Sequence, residues 1–210
     1  MTKSKPKVRK KLINLRNNMD LSKKAEKEAK IIAELEKIIK SSVNEARLLN
    51  KEFYILAYRA KGNEVNLIRL CSKIWKGEYT GIKLAFPKIE NKRMEFYTAS
   101  SEADFSLGHF GILEPKTENT AVCKIDFKTL VGNKNNRVIV LVPGVAFSKA
   151  GYRMGYGAGY YDRYFENTAE FKNVRLLGIA FDFQIYDIPY DEHDIKMEQV
   201  ISVGRVGTAE

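Results

Sequence analysis

Five of the chain's 14 glycines and five of its 11 tyrosines fall within residues 143–164, PGVAFSKAGYRMGYGAGYYDRY. Glycines at 144, 151, 155, 157 and 159 let backbone N–H groups come close to an anion, because no Cβ stands in the way. The preceding residues 137–142, RVIVLV, are almost unbroken β-branched sequence, the composition of a strand buried on both faces of a parallel sheet. A helix is expected after Gly159, with Asp162 in its first turn. Strand, glycine loop and helix N-terminus in that order suit a bound phosphate, since the helix start carries partial positive charge. Lys149 and Arg153 would add full charges, and Asp162 could hold a metal ion that travels with the phosphate. The same order also occurs as a plain tight turn in α/β proteins, and the run matches neither GxGxxG nor GxxxxGKS/T. On local chemistry alone both readings stand.

The elements that must position this loop are legible in outline. Val8, Leu12, Leu15 and Met19 recur at helical spacing, and Asp20 or Ser22 is placed to cap a second helix. Ala25, Ala29, Ile32, Leu35 and Ile39 would form the buried stripe of that second helix. Residues 53–58 read as the first strand and 59–63 as its exit loop. Residues 64–75 read as a helix with Val65, Ile68, Cys71 and Trp75 on one side, its first turn holding Glu64. Residues 82–86 read as a strand stopped by Pro87, 88–97 as a further strand, and 175–181 as another buried one. Residues 116–136 are polar and turn-rich, with an exposed loop at 133–136. Strands alternating with helices predict an α/β fold with a mostly parallel sheet.

With 210 residues and 44% hydrophobic content the chain fits one domain with a substantial core. No run approaches the ~20 apolar residues of a membrane helix. The basic start MTKSKPKVRKK lacks the apolar stretch of a secretory signal, so a cytoplasmic protein without a membrane partner is expected. Two cysteines, Cys71 and Cys123, are too few for a disulfide framework or a zinc site and are expected as core thiols. The formal charge of +10 favours anionic ligands. Lysines spread from Lys3 to Lys196, rather than gathered in one block, count against a nucleic-acid partner.

The run at 143–164 resembles the signature of the 5-formyltetrahydrofolate cyclo-ligase family, also called methenyltetrahydrofolate synthetases, which reads roughly PGVAFD and then G-R-L-GYGGGYYDR. Ser148 stands where the family often has an acid and Ala158 where it often has glycine, a position whose backbone angle alanine tolerates. Similar blocks follow the family order from Lys5 to Ile201: the basic helix start, YRAKGNEV, PKIENKRMEFY, GHFGILEP and DEHDIKMEQVIS. In the last of these Glu198 replaces a more usual aspartate.

The resemblance implies a single α/β domain over residues 1–210, of the type shared with sugar-phosphate isomerases and CoA transferases, with a mostly parallel sheet flanked by helices. It implies conversion of 5-formyltetrahydrofolate to 5,10-methenyltetrahydrofolate with ATP and Mg2+, by a monomer. Carried over by position, Lys5, Pro6, Lys7, Val8 and Arg9 would meet the nucleotide together with Arg153, Met154, Gly155, Tyr156, Gly157, Ala158, Gly159, Tyr160 and Tyr161. Arg59, Glu64, Met94, Phe96 and Tyr97 would meet the folate, along with Tyr156, Gly157, Ala158, Gly159 and Tyr160. Asp162 and Asp194 would hold magnesium, and Lys5, Arg153 and Asp162 would be catalytic. His109 is assigned a surface or packing role. Two other readings of the same chain are a basic RNA-binding module and a small-molecule kinase.

Overall fold

The computed structural model describes residues 4–166, 168–191, 194–203 and 205–208. In chain order the elements are α1 (Lys5–Asn17), α2 (Leu21–Leu48), β1 (Glu52–Leu56), α3 (Ile68–Trp75), β2 (Ile82–Glu90), β3 (Arg93–Thr98), β4 (Phe105–Leu107), β5 (Leu113–Pro115) and β6 (Lys124–Ile125). There follow α4 (Phe127–Gly132), β7 (Asn136–Pro143), β8 (Ala146–Phe147), β9 (Arg153–Met154), α5 (Tyr160–Tyr164), β10 (Val174–Ile179), β11 (Gln199–Ser202) and β12 (Arg205–Thr208). Eight strands form one sheet in the order β12-β11-β10-β7-β1-β2-β3-β6. The five strands from β11 to β2 run parallel, and β12, β3 and β6 join antiparallel at the edges. Among the described residues no helix is long and apolar enough to cross a membrane.

β7 is flanked on both sides by parallel partners, which is why its sequence is apolar without alternation. Ile139 and Leu141 face a core built with Ile31, Leu35 and Ile39 of α2, whereas Val138, Val140 and Val142 face Leu130 and Phe165 on the opposite side. α1 seals a third, smaller core in which Val8 and Leu12 pack on Val145, Ala146, Met154 and Ile188.

Several expectations are corrected. On α1 the third inward position is Arg16, 3% exposed, and Leu15 is 46% exposed, because the buried line follows residues 8, 12 and 16. Asp20 caps α2 by accepting from the backbone N–H groups of Ser22 and Lys23, but Ala25 and Ala29 are exposed. The first turns of α2 instead turn the Lys24–Glu28 pair inward, and Glu28 accepts from the Asn66 N–H at 2.8 Å. The helix expected from residue 64 begins only at Ile68, leaving Glu64 in the preceding loop. Pro87 does not end β2: the Ala85 carbonyl turns toward β1, so the Pro87 nitrogen faces the same side, where β1 has already left the ladder. Residues 88–97 are a hairpin rather than one strand, with Asn91 (φ 48°) and Lys92 (φ 63°) forming its two-residue turn. Residues 116–136 contain β6 and α4, the latter capped by Asp126. Cys71 is a core thiol, pushed up to about 12 by burial, but Cys123 is exposed.

Candidate active site

From β1 the chain steps one way along the sheet to β2, and from β7 it steps the other way to β10 and β11. The gap beyond the carboxyl ends of β1 and β7 is therefore a topological switch point, where open α/β sheets bind ligands. A cavity of about 670 Å³ opens there, within the usual range for small-molecule sites. Tyr58 and Arg59 beyond β1, Pro143 at the end of β7, and Pro87 and Ile89 of β2 form its floor and one side.

The glycine segment forms the opposite wall. It does not pass straight from β7 to a loop, because β8 and β9 first fold back as a small antiparallel pair that fixes Arg153. Residues 153–162 then run along the cavity. A Cβ added at Gly155 would stand 2.5 Å from Arg153 Nη1, Gly157 has φ 105°, and Gly159 caps α5 with φ 67°. A side chain is disfavoured by backbone conformation at Gly157 and Gly159, and at Gly155 it would force the Arg153 guanidinium to shift. Ala158 lies outside the left-handed region, so alanine is accommodated as expected.

Cations and acids meet along this wall. Arg9 Nε donates to the Gly155 carbonyl at 2.9 Å. Arg153, 7% exposed, donates through Nη2 to Asp162 Oδ1 at 2.9 Å and Oδ2 at 2.8 Å. Lys5 Nζ lies 2.8 Å from Asp191 Oδ2 and 3.3 Å from Asp194 Oδ2, and the Asp191 hydrogen bond holds its pKa above the ordinary lysine value. Asp194 also accepts from the Asp191 backbone N–H at 2.9 Å. Asp162 and Asp194 both line the cavity, and among the described residues no cluster of three or more His, Cys, Asp or Glu side chains could hold a metal. Asp162 and Asp194 are carboxylates that could contribute to an Mg2+ site of the kind that keeps several waters and draws its remaining ligands from a substrate's phosphates, once released from Arg153 and Lys5.

Across the cavity Glu64 is 5% exposed. Its Oε2 accepts from the Lys61 backbone N–H and its Oε1 from the Tyr156 hydroxyl, both at 2.9 Å. Burial pushes its pKa above the ordinary carboxylate value, against the opposing pull of that backbone N–H, Arg16, Tyr156 and Lys61. The Tyr156 hydroxyl in turn accepts from Arg16 Nη2. Desolvation raises the Tyr156 pKa, so the phenol stays a donor to Glu64.

Sixteen of the residues singled out from sequence meet on this one cavity: Lys5, Arg9, Arg59, Glu64, Met94, residues 153–162 and Asp194. The others do not line it. Pro6 and Lys7 point to solvent from the first turn of α1, as does Lys149 beyond β8, and Val8 is core. Phe96 is fully buried against Tyr164 and Phe165. Tyr97 points to the other face of the sheet and donates to Glu90 at 2.6 Å. His109 is exposed beside Glu114, at 3.7 Å. Sequence reasoning assigned no role to Tyr58, Lys61, Ile89, Ile112 and Glu114, which line the cavity, or to Arg16 behind it. Glu114, 6% exposed, accepts from the Ile89 N–H at 3.3 Å and joins the β4–β5 hairpin to β2.

A profile of the 5-formyltetrahydrofolate cyclo-ligase family matches residues 1–203. The 5-formyltetrahydrofolate cyclo-ligase of Mycoplasma genitalium is 39% identical over 72 residues, 34% of this chain and 42% of that protein. That of Mus musculus is 39% identical over 66 residues, 30% and 32% of the two. The aligned stretch thus spans less than half the length of each of these relatives. The solved structure of Aquifex aeolicus 5,10-methenyltetrahydrofolate synthetase superposes with a TM-score of 0.73 at 26% identity, covering 98% of this chain and 93% of that one. A profile match over nearly every residue, on a fold shared from end to end, means that this chain belongs to the 5-formyltetrahydrofolate cyclo-ligase family.

Proposed function

We propose that the chain converts 5-formyltetrahydrofolate to 5,10-methenyltetrahydrofolate, using ATP and releasing ADP and phosphate. The observation that carries this reading is one cavity with a glycine loop and cations on one wall and a buried carboxylate on the other. The relatives' names supply the reaction class.

The formyl oxygen would leave poorly as hydroxide. In the proposed route it attacks the γ-phosphorus, the bond to the β-phosphate oxygen breaks, and ADP departs. The N10 lone pair then adds to the activated formyl carbon, N10 gives up its proton to water, and phosphate leaves with the former formyl oxygen. The protein's task is alignment and charge compensation rather than covalent catalysis. Lys5, Arg9 and Arg153 supply positive charge on the side where the phosphates would lie, and the glycine-rich backbone of residues 155–159 runs along the same cavity, where its N–H groups could approach them. Asp162 and Asp194 would hold Mg2+, which when bound offsets phosphate charge.

Glu64 can accept from a pterin amino group and ring N–H together. Met94, Pro87, Ile89 and Ile112 offer the apolar surface that a flat ring system needs. In this reading the chain acts as a cytoplasmic monomer without a nucleic-acid partner. The test is the near-ultraviolet absorbance of the methenyl product after mixing protein, 5-formyltetrahydrofolate, magnesium and ATP, compared with the same mixture lacking nucleotide. Product in both mixtures, or in neither, refutes the assignment. A kinase acting on another small molecule would give neither, and would have no use for Glu64 opposite the loop.

A further inference from the structure

Arg16 is the most deeply buried cation at the site, 3% exposed, yet it does not reach the cavity surface. Its Nη2 donates to the Tyr156 hydroxyl, Nη1 lies 3.8 Å from Glu64 Oε1, and Nη1 also makes a long 3.4 Å contact with the Gly144 carbonyl. Nε is buried with no partner. Packing of α1 does not require this: the neighbouring inward positions, Val8 and Leu12, are apolar, and a methionine would fill the same line without desolvating a charge. A buried cation hydrogen-bonded to Tyr156 and ion-paired with Glu64, the two polar side chains facing the proposed pterin position, needs a reason other than stability.

We propose that Arg16 is a positioning residue for folate recognition: its guanidinium keeps the buried Glu64 carboxylate charged and holds the Tyr156 hydroxyl against it. The chain of donors runs one way, from Arg16 N–H to Tyr156 oxygen and from Tyr156 O–H to Glu64 Oε1. That leaves the remaining lone pairs of Glu64 for the ligand, because Oε2 is already oriented by the Lys61 N–H. The other groups facing Glu64 are the Lys61 ammonium from the loop after β1, the Tyr58 phenol at the end of β1, and the Tyr161 phenol of α5. Both phenols are raised by burial and stay neutral, so among the described residues Arg16 and Lys61 are the main cations opposing the desolvation of this carboxylate.

This inference rests on the proposed reaction for its kinetic readout, but it has a second readout that does not. Arg16→Gln removes the charge and shortens the side chain, leaving two of the five N–H donors, so Arg16→Lys, which keeps the charge, is its control. Each unit by which the Glu64 pKa then exceeds the working pH removes a factor of about ten in the ionised fraction. The expected result is a KM for 5-formyltetrahydrofolate about tenfold higher at pH 7, recovering as pH rises toward 9, with kcat and the KM for ATP close to those of the parent. Arg16→Lys should restore most of the loss, and Glu64→Gln combined with Arg16→Gln should be no worse than Glu64→Gln alone. A pH-independent KM change, or an equal change in the KM for ATP, overturns the proposal. Carboxyl-carbon NMR of the unliganded parent protein reads Glu64 directly, whether or not the variants fold and whether or not the folate reaction is observed. A midpoint between the ordinary glutamate value and neutrality supports the proposal, and a Glu64 still protonated at pH 7 overturns it.

Discussion

Asp162→Asn separates what the glycine loop does for folding from what it does for chemistry. Among the described residues the Asp162 carboxylate is the one anion hydrogen-bonded to Arg153, whose side chain is 5% exposed and whose Nε has no partner there. Leaving a fully buried ion without its partner costs about 3–5 kcal/mol. Two features reduce that figure here. Asp162 is 26% exposed, so water screens part of the interaction, and asparagine keeps an acceptor for Nη2. What is lost is the charge assistance of the hydrogen bonds, about 2 kcal/mol. For a chain of this length that lowers Tm by roughly 4–8 °C. Turnover should fall further, by about 10²-fold or more, because the same oxygens are proposed to hold the metal that offsets developing charge. The assay pairs thermal unfolding with near-ultraviolet detection of the methenyl product across a magnesium titration. Full turnover at limiting magnesium refutes the metal assignment, and an unchanged Tm refutes the claim that Arg153 depends on this carboxylate.

Three other outcomes are open to measurement. Gly157→Ala places a side chain at φ 105°, where the contact with Arg9 at 3.6 Å is ordinary but the backbone is strained by about 1–3 kcal/mol; a higher KM for ATP and a lower Tm are expected, and parent-like values for both would show that the loop conformation is not required. Leu12→Ala, at 1% exposure, should cost about 2–5 kcal/mol in denaturant titration, whereas Leu15→Ala, at 46%, should stay within about 0.5 kcal/mol; equal costs would mean that α1 is docked in another register. Because burial raises the Glu64 pKa in the folded state, its contribution to stability is present at low pH and is lost as pH rises through that value. The unfolding free energy of the parent relative to Glu64→Gln should therefore decline as pH increases above the ordinary glutamate value, by at most about 1.4 kcal/mol per pH unit; a difference that grows with pH would reverse the sign of the argument.

How much of the site was legible in the sequence depends on whether the information was local. The wall at residues 153–162 was readable because glycine, aspartate and a helix start are neighbours in the chain, and strand β7 because burial on two faces leaves no polar position. The folate wall was only half readable. Met94 and Phe96 share a strand face and Tyr97 takes the other, so the period of two already separates Tyr97 from Met94. It cannot say that Phe96, one step from Met94 on the same face, is roofed by Tyr164 and Phe165 while Met94 reaches the cavity. That depends on where α5 ends, which is a tertiary fact. Ile112 and Glu114 come from a hairpin whose contact with β2 is made by the Glu114 side chain and the Ile89 N–H, a pairing that no local pattern encodes.

Arg16 is the instructive case between these. It stands eight residues after Val8 and four after Leu12, as regular as any core residue, but its charged type makes Leu15 the expected inward residue. A helix buries whatever lies on its inward line, and the chain spends that position on a charge because the line ends behind a carboxylate and a tyrosine supplied from sequence positions 64 and 156. The periodicity of α1 therefore shows where Arg16 must be, and the fold alone shows what it faces. A cation on the apolar line of an otherwise basic amphipathic helix is thus a local signal of a remote partner. Here that partner is Glu64, on the wall opposite the glycine loop, whose pKa burial raises.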